Sequence, residues 1–279
     1  MLRTMITATN TMSQLQSQLD TIGNNIANSN TYGFKSTDVK FQELLYQQFN
    51  NDKADLAERQ SPTGIRYGSG AAISQTMMNW KQGSLQSTER DLDFAFQEPK
   101  QYLNLLMPDG EGGQQTAYTR QGALYVSPTD NGALMLVNGD GYPVADAEGQ
   151  AILIPDNVSD FSLNESGVLI VSYPDGSTVE RELAVSVLQK PQLMEHLSNA
   201  YIVLPNNLDE LGVTQQDVLT DLQGAERNEI SLVNGVLELS NVDISKEMTE
   251  LMTTQRSYQF SARSITIADQ MMGLINGIR

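Results

Sequence analysis

The chain has 279 residues and a formal net charge of −17, with no cysteine, one histidine and one tryptophan. This charge argues against nucleic acid and anionic membrane surfaces as partners, because both bind clusters of lysine and arginine. The composition also excludes disulfides, thiol catalysis, zinc–thiolate sites and multi-histidine metal sites. The two ends of the chain are close to neutral, and the negative charge is concentrated in 51–234. This asymmetry predicts that the two ends and the middle of the chain have different roles.

The first thirty residues contain an apolar heptad. Apolar side chains recur at alternating steps of four and three residues, which is the spacing of a coiled-coil seam. The seam comprises Met1, Met5, Ala8, Met12, Leu15, Leu19, Ile22 and Ile26. The other positions are mostly Thr, Gln, Ser and Asn, so we expect the apolar stripe to need a partner. The Asn-rich and Gly-containing segment 24–33 is predicted to end the helix.

The last forty residues repeat this pattern. Ser240–Asp243 has the composition of a capping box and predicts a helix start. The heptad positions that follow are Ile244, Met248, Leu251, Gln255, Tyr258, Ala262 and Ile265, continued by Ala268, Met272 and Ile275 after a three-residue step. No Pro or Gly interrupts 241–272. We therefore predict a helix of about thirty residues.

Between the helices the pattern changes to short apolar runs separated by turn signals. Four such runs precede Asn-Gly, Asp-Gly or Pro-Asp turns: Tyr102–Met107, Ala133–Val137, Ala151–Ile154 and Val168–Ser172. This spacing is typical of an all-β domain. In the preceding stretch, 41–49 is predicted to form a short helix, and 52–70 is predicted to be extended or linker-like.

The predicted architecture is α+β, with an all-β domain inserted between two heptad helices that pair into a coiled-coil-like layer. The predicted divisions are an N-terminal helix at 1–33, which forms an assembly core with 241–279, a linker at 34–83, a β-rich domain at 84–235 and a C-terminal helix at 236–279. The helices can bury their stripes against each other or against neighbouring copies. The second arrangement builds a polymer through heterologous contacts.

Several segments carry motifs that occur in a fixed order. Leu19–Lys35 contains an Asn-Asn-x-Ala-Asn core and a Thr-x-Gly-Phe-Lys ending, and Gly235–Ile244 opens the C-terminal segment. Between them lie Gln82–Leu85, Leu92–Ala95, Tyr118–Ala123 and Gly139–Val144. Together these motifs resemble the flagellar axial protein family, which comprises the rod, hook and related basal-body proteins of bacteria. The segment Phe41–Gln47 is similar to one in the distal-rod type.

The resemblance implies a structural subunit that is not an enzyme and has no cofactor or metal. It implies a rod subunit of the flagellar basal body, with a proximal-rod or hook-type identity as the alternative. Such subunits stack helically into a hollow tube that transmits torque, with the terminal helices in the inner layers and the β-domain outward. The implied partners are copies of the same chain, other rod and hook proteins and the flagellar export apparatus.

The resemblance also implies that the chain is exported unfolded through the flagellar type III apparatus. The absence of cysteine suits unfolded transit to an oxidising compartment. The N-terminus lacks the apolar core of a secretory signal, and no apolar stretch is long enough to span a bilayer. We also expect the terminal helices to be poorly ordered in the free monomer and to fold on assembly.

The candidate assembly residues form three sets. The N-terminal helix contributes Met5, Met12, Leu15, Leu19, Ile22, Asn25 and Ile26. The C-terminal helix contributes Ile244, Met248, Leu251, Tyr258, Ala262, Ile265, Met272 and Ile275. The family motif adds Asn24, Asn28, Thr31, Gly33, Phe34, Lys35, Ser240, Asn241 and Val242. The segment Gln97–Tyr102 departs from the Gly-x-Gly-Phe-Phe turn that is usual in the family, so local remodelling of the β-domain is expected there.

Other interpretations remain open. A secreted hydrolase would need a nucleophile–base motif that the sequence does not offer, and an adhesin would be a soluble monomer that forms no tubes. Alternating Glu89, Asp91 and Asp93 indicate one face of a strand, either outward or in contact with Arg90 or Arg120. His196 is expected at the surface. Trp80 is expected to pack where the linker meets the β-domain.

Overall fold

Two long helices flank a β-rich middle in the sequence of this α+β chain, for which we describe a computed structural model. The structure describes residues 2–43, 47–49, 65–67, 71–109, 113–129, 132–198, 200–205, 208 and 212–277. Its α-helices are α1 at Leu2–Ala27, α2 at Gln215–Val218 and α3 at Ile244–Gly277. The chain folds as two compact units, the first comprising Met1–Ala27, Thr37–Met77 and Asp243–Arg279, and the second Asn28–Ser36 and Met78–Val242.

The long helices α1 and α3 belong to the first unit and pack against each other. Their polar positions are rich in Ser and Thr, and many of these hydroxyls donate to the carbonyl four residues earlier in the same helix. The donors are Thr9, Thr11, Ser17, Thr21, Thr249, Thr253, Ser257, Ser261, Ser264 and Thr266. This bonding satisfies the hydroxyls within the helix itself, without partners from elsewhere.

The ends of both helices follow from local side-chain bonds. The Asp243 carboxylate accepts hydrogen bonds from the N–H groups of Ser245 and Lys246, at 2.9 and 3.2 Å, so Asp243 is the N-cap of α3. The capping role proposed for Ser240 is wrong, because its hydroxyl accepts from the N–H of Val242 instead. Helix α1 ends at Ala27, inside the segment 24–33 that was predicted to end it.

The described residues of this part of the chain also form four strands: β1 at Thr37–Glu43, β2 at Gln47–Phe49, β3 at Ile65–Tyr67 and β4 at Ala71–Met78. β1 pairs with β4, and β2 pairs antiparallel with β3. The short helix predicted for 41–49 is wrong, because 41–43 and 47–49 are strands; 44–46 lie outside the described residues. The alternation of Val39 and Phe41 with Asp38, Lys40 and Gln42 is a period of two, which favours a strand. Of the segment 52–70, only β3 is described.

Sixteen further strands lie in the described part of the second unit. They are β5 Leu85–Ser87, β6 Phe94–Phe96, β7 Gln101–Pro108, β8 Gln114–Thr119, β9 Leu124–Pro128, β10 Ala133–Asn138, β11 Leu153–Pro155, β12 Asp160–Leu163, β13 Val168–Ser172, β14 Thr178–Glu182, β15 Val185–Leu188, β16 Glu195–Ser198, β17 Tyr201–Val203, β18 Leu219–Asp221, β19 Leu232–Asn234 and β20 Val236–Glu238. Two 3₁₀ turns lie at Pro191–Leu193 and Gly224–Glu229. The β-rich middle predicted from the turn spacing is therefore confirmed.

A six-stranded sheet in the order β16-β17-β8-β7-β15-β18 forms the centre of the second unit, and neighbouring strands are antiparallel. The described part of this unit also contains the three-stranded sheets β11-β10-β9 and β12-β13-β14 and the pairs β19-β6 and β20-β5. Strand β7 is buried on both faces. Leu103 and Leu105 face the larger apolar core, and Tyr102 faces a smaller core with Tyr118 and Ile202. Two covered faces explain why this strand is apolar nearly throughout.

The predicted turns connect hairpins. Pairing of Pro108 with Gln114 closes the β7–β8 hairpin, whose glycine-rich tip at 110–112 lies outside the described residues. The β13–β14 hairpin turns at the predicted Pro-Asp-Gly sequence, where Gly176 has a φ of +82°. A positive φ is accessible to glycine without steric cost, which is why this turn type selects it.

Two expectations for single side chains had different outcomes. Trp80 packs against the smaller core, edge-to-face with Tyr102 at a centroid distance of 6.4 Å, as expected. The strand face predicted for Glu89, Asp91 and Asp93 is wrong. This stretch is a turn in which Glu89 has a φ of 59°, and only Asp93 is buried, paired with Arg90 at 3.1 Å.

No helix among the described residues is long and apolar enough to cross a membrane.

Candidate functional site: terminal helices and a buried charge cluster

The candidate residues of α1 lie mainly on its packed face. Ile22 and Asn25 are buried, and the rest of the set is half-buried: Met5, Met12, Leu15, Leu19 and Ile26. Asn25 fastens the helix to the start of β1, because its amide nitrogen donates to the carbonyl of Thr37 and its oxygen accepts from the Thr37 N–H, both at 3.0 Å. A residue placed in the set for its motif thus has a structural contact of its own.

The candidate residues of α3 share one heptad spacing but differ in burial. Five are half-buried: Leu251, Tyr258, Ala262, Ile265 and Met272. Three are exposed: Ile244, Met248 and Ile275. The packed face also includes buried Glu247, Thr254 and Ala268. Ile244 is seven residues from half-buried Leu251, and Ile275 is seven from buried Ala268, so the exposed members share the heptad face of the packed ones and lie toward the ends of the helix.

A second apolar stripe runs along the exposed side of α3. Its members are Met252, Phe260, Ile267, Met271 and Leu274. The side chain of Phe260 is 74% exposed and that of Leu274 is 69% exposed. Large apolar side chains this exposed, and this numerous on one helix, mark an interaction surface.

The family-motif residues lie in and beside the segment that follows α1. The Thr31 hydroxyl donates to the Asn28 side-chain oxygen at 3.2 Å, and the Thr31 N–H donates to the Asn28 carbonyl at 3.1 Å. Asn24 is exposed, whereas Asn28, Gly33, Phe34 and Lys35 are buried. This supports the interpretation of the Asn cluster as a helix end and turn.

Asn241 joins three segments of the second unit. Its side-chain oxygen accepts from the Ser36 N–H at 2.7 Å, and its amide nitrogen donates to the carbonyls of Asn79 and Lys81 at 2.7 and 2.9 Å. The Asn241 N–H also donates to the Phe34 carbonyl at 3.4 Å. The flanking Ser240 and Val242 are half-buried. Both motif segments therefore meet within the second unit.

Glu238 is the centre of a buried charge cluster next to these residues. Its side chain is 1% exposed, and both carboxylate oxygens accept hydrogen bonds. Oε1 accepts from Lys35 Nζ at 2.5 Å and from the Gly83 N–H at 3.0 Å. Oε2 lies 2.6 Å from both Nε and Nη2 of Arg120. The cluster thus holds one carboxylate between two cations.

Arg120 is fully buried, and its guanidinium also satisfies backbone groups. Nη1 donates to the carbonyls of Glu98 and Gln101, at 2.9 and 2.8 Å, and Nη2 donates to the carbonyl of Phe96 at 3.3 Å. The segment 97–102, which departs from the family pattern, therefore wraps around this side chain. A guanidinium has enough donors to serve the carboxylate and these carbonyls together.

Burial has an electrostatic consequence for Lys35. The pKa of its ammonium is lowered from 10.5 to about 8, mainly by desolvation; the charge of Glu238 opposes this shift and that of Arg120 adds to it. The Lys35 ammonium also donates to the Lys81 carbonyl at 2.8 Å. Protonation of Lys35 in the second unit is therefore less favourable than that of a lysine in water.

Glycines make the close approach around Glu238 possible. Gly33 has a φ of +71°, and its N–H donates to the Glu238 carbonyl at 2.8 Å. A Cβ at Gly33 would lie 2.6 Å from the Arg120 carbonyl carbon, and one at Gly83 would lie 1.8 Å from the Leu239 carbonyl oxygen. Any side chain at either position would therefore displace backbone.

The sequence interpretation missed the roles of Glu238 and Arg120. Both residues stand inside segments that were selected for their resemblance, and Glu238 lies between two leucines. A charged residue between apolar neighbours in a strand is a pattern that can indicate a buried ion. This pattern does not identify the residue that pairs with that ion. Among the described residues, no group of three or more His, Asp or Glu side chains is arranged to hold a metal ion.

Comparison with known proteins matches the same segments. Three family descriptions match: a flagella basal body rod protein at 5–35, a flagellar hook protein FlgE/F/G D1 domain at 100–171 and a flagellar basal body rod FlgEFG protein C-terminal region at 233–278. The flagellar hook-basal body complex protein FlhP of Bacillus subtilis (strain 168) is 43% identical over 100% of both chains. The chain belongs to the flagellar rod and hook protein family.

Two rod proteins extend this result. The flagellar basal-body rod protein FlgG of Caulobacter vibrioides is 32% identical, with 98% of each chain covered. The FlgG of Bacillus subtilis is 29% identical, with 98% of this chain and 97% of the relative covered. As a flagellar rod and hook family protein, the chain is a structural axial subunit located in the flagellar basal body.

The three family matches meet in the charge cluster of this flagellar subunit. Lys35 lies in the first matched range, Arg120 in the second and Glu238 in the third. Each range therefore contributes one charged side chain to a single buried site. The family match thus follows residues that are far apart in the sequence and adjacent in the second unit.

Proposed function

We propose that this chain polymerises helically with copies of itself and with other rod and hook proteins into the hollow axial tube of the basal body. In this proposal the terminal helices form the assembly module, in a coiled-coil-like layer. The chain reaches the tube unfolded through the flagellar export apparatus, and its lack of cysteine supports such transit. Its relatives bear the names of structural flagellar proteins, which supports a role without catalysis.

The exposed apolar stripe of α3 is the observation that carries the proposal. Its five large side chains lie outside the packed heptad face, so packing on α1 leaves them uncovered. Burial of apolar surface contributes roughly 25 cal/mol per Å², which makes such a stripe costly to leave in water. Neighbouring copies that pack on this stripe would remove that cost in every subunit of a tube.

The polar surface of the helices supports the same function. The back-bonded Ser and Thr hydroxyls are already satisfied within the helix, so burying them against a neighbouring copy leaves no hydroxyl donor unpaired. A helix that faces only water would carry more charged residues. We therefore infer that both helices are covered on most sides in the assembled state.

Within the family we propose a rod position of the distal type, with a proximal-rod or hook-type position as the alternative. The FlgG rod proteins match over nearly the whole chain, which supports the rod. FlhP is named for the hook-basal body complex as a whole, and it is equally consistent with the alternative.

Replacement of Phe260 by Asp tests the proposal. The side chain is exposed, so we expect the variant monomer to fold to the same extent as the wild-type monomer. Its polymerisation, measured by sedimentation and electron microscopy, should be lost. Antibody labelling of isolated basal bodies should place the wild type along the rod and should not detect Phe260→Asp there.

Phe260→Leu is the matched control, because it keeps an apolar side chain at the same position. We expect it to assemble like the wild type. Normal tubes formed by Phe260→Asp would contradict the proposed assembly surface. Labelling confined to the hook would contradict the rod position alone.

A further inference from the structure

A pocket of about 210 Å³ in the first unit lies among α1, β1 and α3. Its lining includes three carboxylate side chains, those of Asp38, Glu247 and Glu250, together with Gln18 and Thr21. All of these residues belong to the first unit. The pocket is therefore strongly acidic for its size.

Glu247 makes this more than a group of surface acids. The residue is 3% exposed, and its Oε2 has no hydrogen-bond partner within the described part of the chain. A hydrogen bond with the Asn25 side chain engages the carboxylate, but burial is the larger influence and raises its pKa. An unpaired buried carboxylate oxygen costs free energy, so it is normally supplied with a donor.

The chain's own cation satisfies only the rim of this pocket. Lys246 Nζ lies 3.3 Å from Oδ1 of Asp38 and 3.8 Å from Oε1 of Glu250, and its side chain is 55% exposed. One ammonium thus stands against three carboxylates. Oε2 of Glu247 keeps its unused hydrogen-bonding capacity.

The same helix carries two cations that lack such partners. Arg256 and Arg263 are exposed, and neither forms an ion pair with any described residue. They are seven residues apart, so they lie on one face of α3, beside Phe260 and Ile267 of the exposed apolar stripe. Glu247 and Glu250 point from a different face of the helix, so these arginines are not placed to reach the pocket of their own chain.

We propose that this pocket receives an arginine of the exposed α3 face from a second copy of the chain. This inference rests on the proposed self-assembly and names its polar contact. A planar guanidinium has several donors in a fixed fork, which suits a pocket of several carboxylates.

The donor arginines and the acceptor pocket lie on different faces of α3, and this placement determines the kind of contact that copies can make. The contact is heterologous, so each copy that accepts an arginine still offers its own arginines to the next copy. Such contacts propagate into open-ended helical arrays rather than closing as a dimer. The charge pair would also fix the register in which the apolar stripes meet, which apolar packing alone specifies weakly.

Charge exchange tests the inference with the full-length chain. Glu250→Lys replaces one of the three pocket carboxylates by a cation. The double variant Arg256→Glu/Arg263→Glu replaces both donor cations by carboxylates. We expect each to raise the critical concentration for polymerisation, measured by sedimentation, by roughly tenfold or more. The combination of all three substitutions should restore polymerisation, and so should an equal mixture of the acceptor and donor variants.

Asp269→Lys is the control, because Asp269 is an exposed carboxylate on α3 outside the pocket. We expect it to polymerise like the wild type, and circular dichroism should show that every variant keeps its secondary structure. A wild type that polymerises, with acceptor and donor variants that do so equally well, overturns this inference alone. Loss that is not rescued by the charge exchange also overturns it. A wild type that forms no polymer overturns the proposed function as well.

Discussion

Glu238 shows how one side chain can organise distant parts of a chain. Its partners Arg120 and Lys35 are 118 and 203 residues away in the sequence. Because two buried cations share one carboxylate, the cost of removing that carboxylate is the cost of leaving them unpaired. The second unit therefore depends on Glu238 more than on an average core residue.

Glu238→Gln should strongly destabilise the second unit. We expect a loss of about 3–5 kcal/mol in the free energy of unfolding, because Lys35 and Arg120 lose their counter-charge in a buried site. Denaturant unfolding followed by Trp80 fluorescence measures this, since Trp80 is the single tryptophan and packs within the second unit. Glu180→Gln, at an exposed position, is the control. A loss below about 1 kcal/mol would contradict a central role.

The lowered pKa of Lys35 makes stability depend on pH. Between about pH 8 and the ordinary value of 10.5, the unfolded chain holds a proton on this lysine that the folded chain has released. The unfolded state then binds more protons, so the free energy of unfolding rises with pH in this window. Burial raises the pKa of Tyr102 and Tyr118 above 10.0, which opposes the rise above pH 10.

We therefore expect the unfolding free energy to increase from pH 8 to pH 10, and Lys35→Met to remove this increase. Denaturant titrations at a series of pH values, followed by Trp80 fluorescence, provide the measurement. Lys81→Met, at an exposed lysine nearby, should keep the slope of the wild type. An unchanged slope in Lys35→Met would show that another group is responsible.

At the scale of elements, α3 carries more apolar surface than its contacts use. Its packed residues, such as Leu251 and Tyr258, follow one face, while Phe260 and Leu274 follow another. The heptad in the sequence correctly predicted a long helix that begins near 241. It grouped the residues that share a side of the helix, but it could not show which partner covers that side or that a second apolar stripe lies outside it.

The ordering of the helices in the monomer remains a prediction at this scale. Helices with few ion pairs and an uncovered apolar stripe gain much of their stability from packing, so we expect them to be partly folded in dilute monomer. Far-UV circular dichroism should then show less helix than the 26 residues of α1 and the 34 of α3, with an increase on polymerisation.

Phe260→Asp serves as the monomeric reference in that experiment. Its helix content should stay at the monomer level as the protein concentration rises. Full helix content in the dilute wild type would contradict folding on assembly and would leave packing, rather than ordering, as the change that accompanies polymerisation.

At the scale of the whole molecule, the uneven distribution of charge along the chain follows its division into two units. The nearly neutral ends form the long helices of the first unit, and most of the acidic middle folds into the second. Exposed acids such as Glu180 and Glu182 lie at the surface of the second unit. Like charge on this surface suits subunits that must stay soluble before they assemble.

The sequence by itself determined the two terminal helices, the β-rich middle, the positions of several turns and the family. These features follow from local spacing and from motifs that are contiguous in the chain. Only the tertiary structure decided that Lys35, Arg120 and Glu238 form one buried cluster, that 41–43 is a strand, and that Glu247 lines an acidic pocket. Each of these depends on burial and on contacts between residues far apart in sequence, which no local pattern specifies.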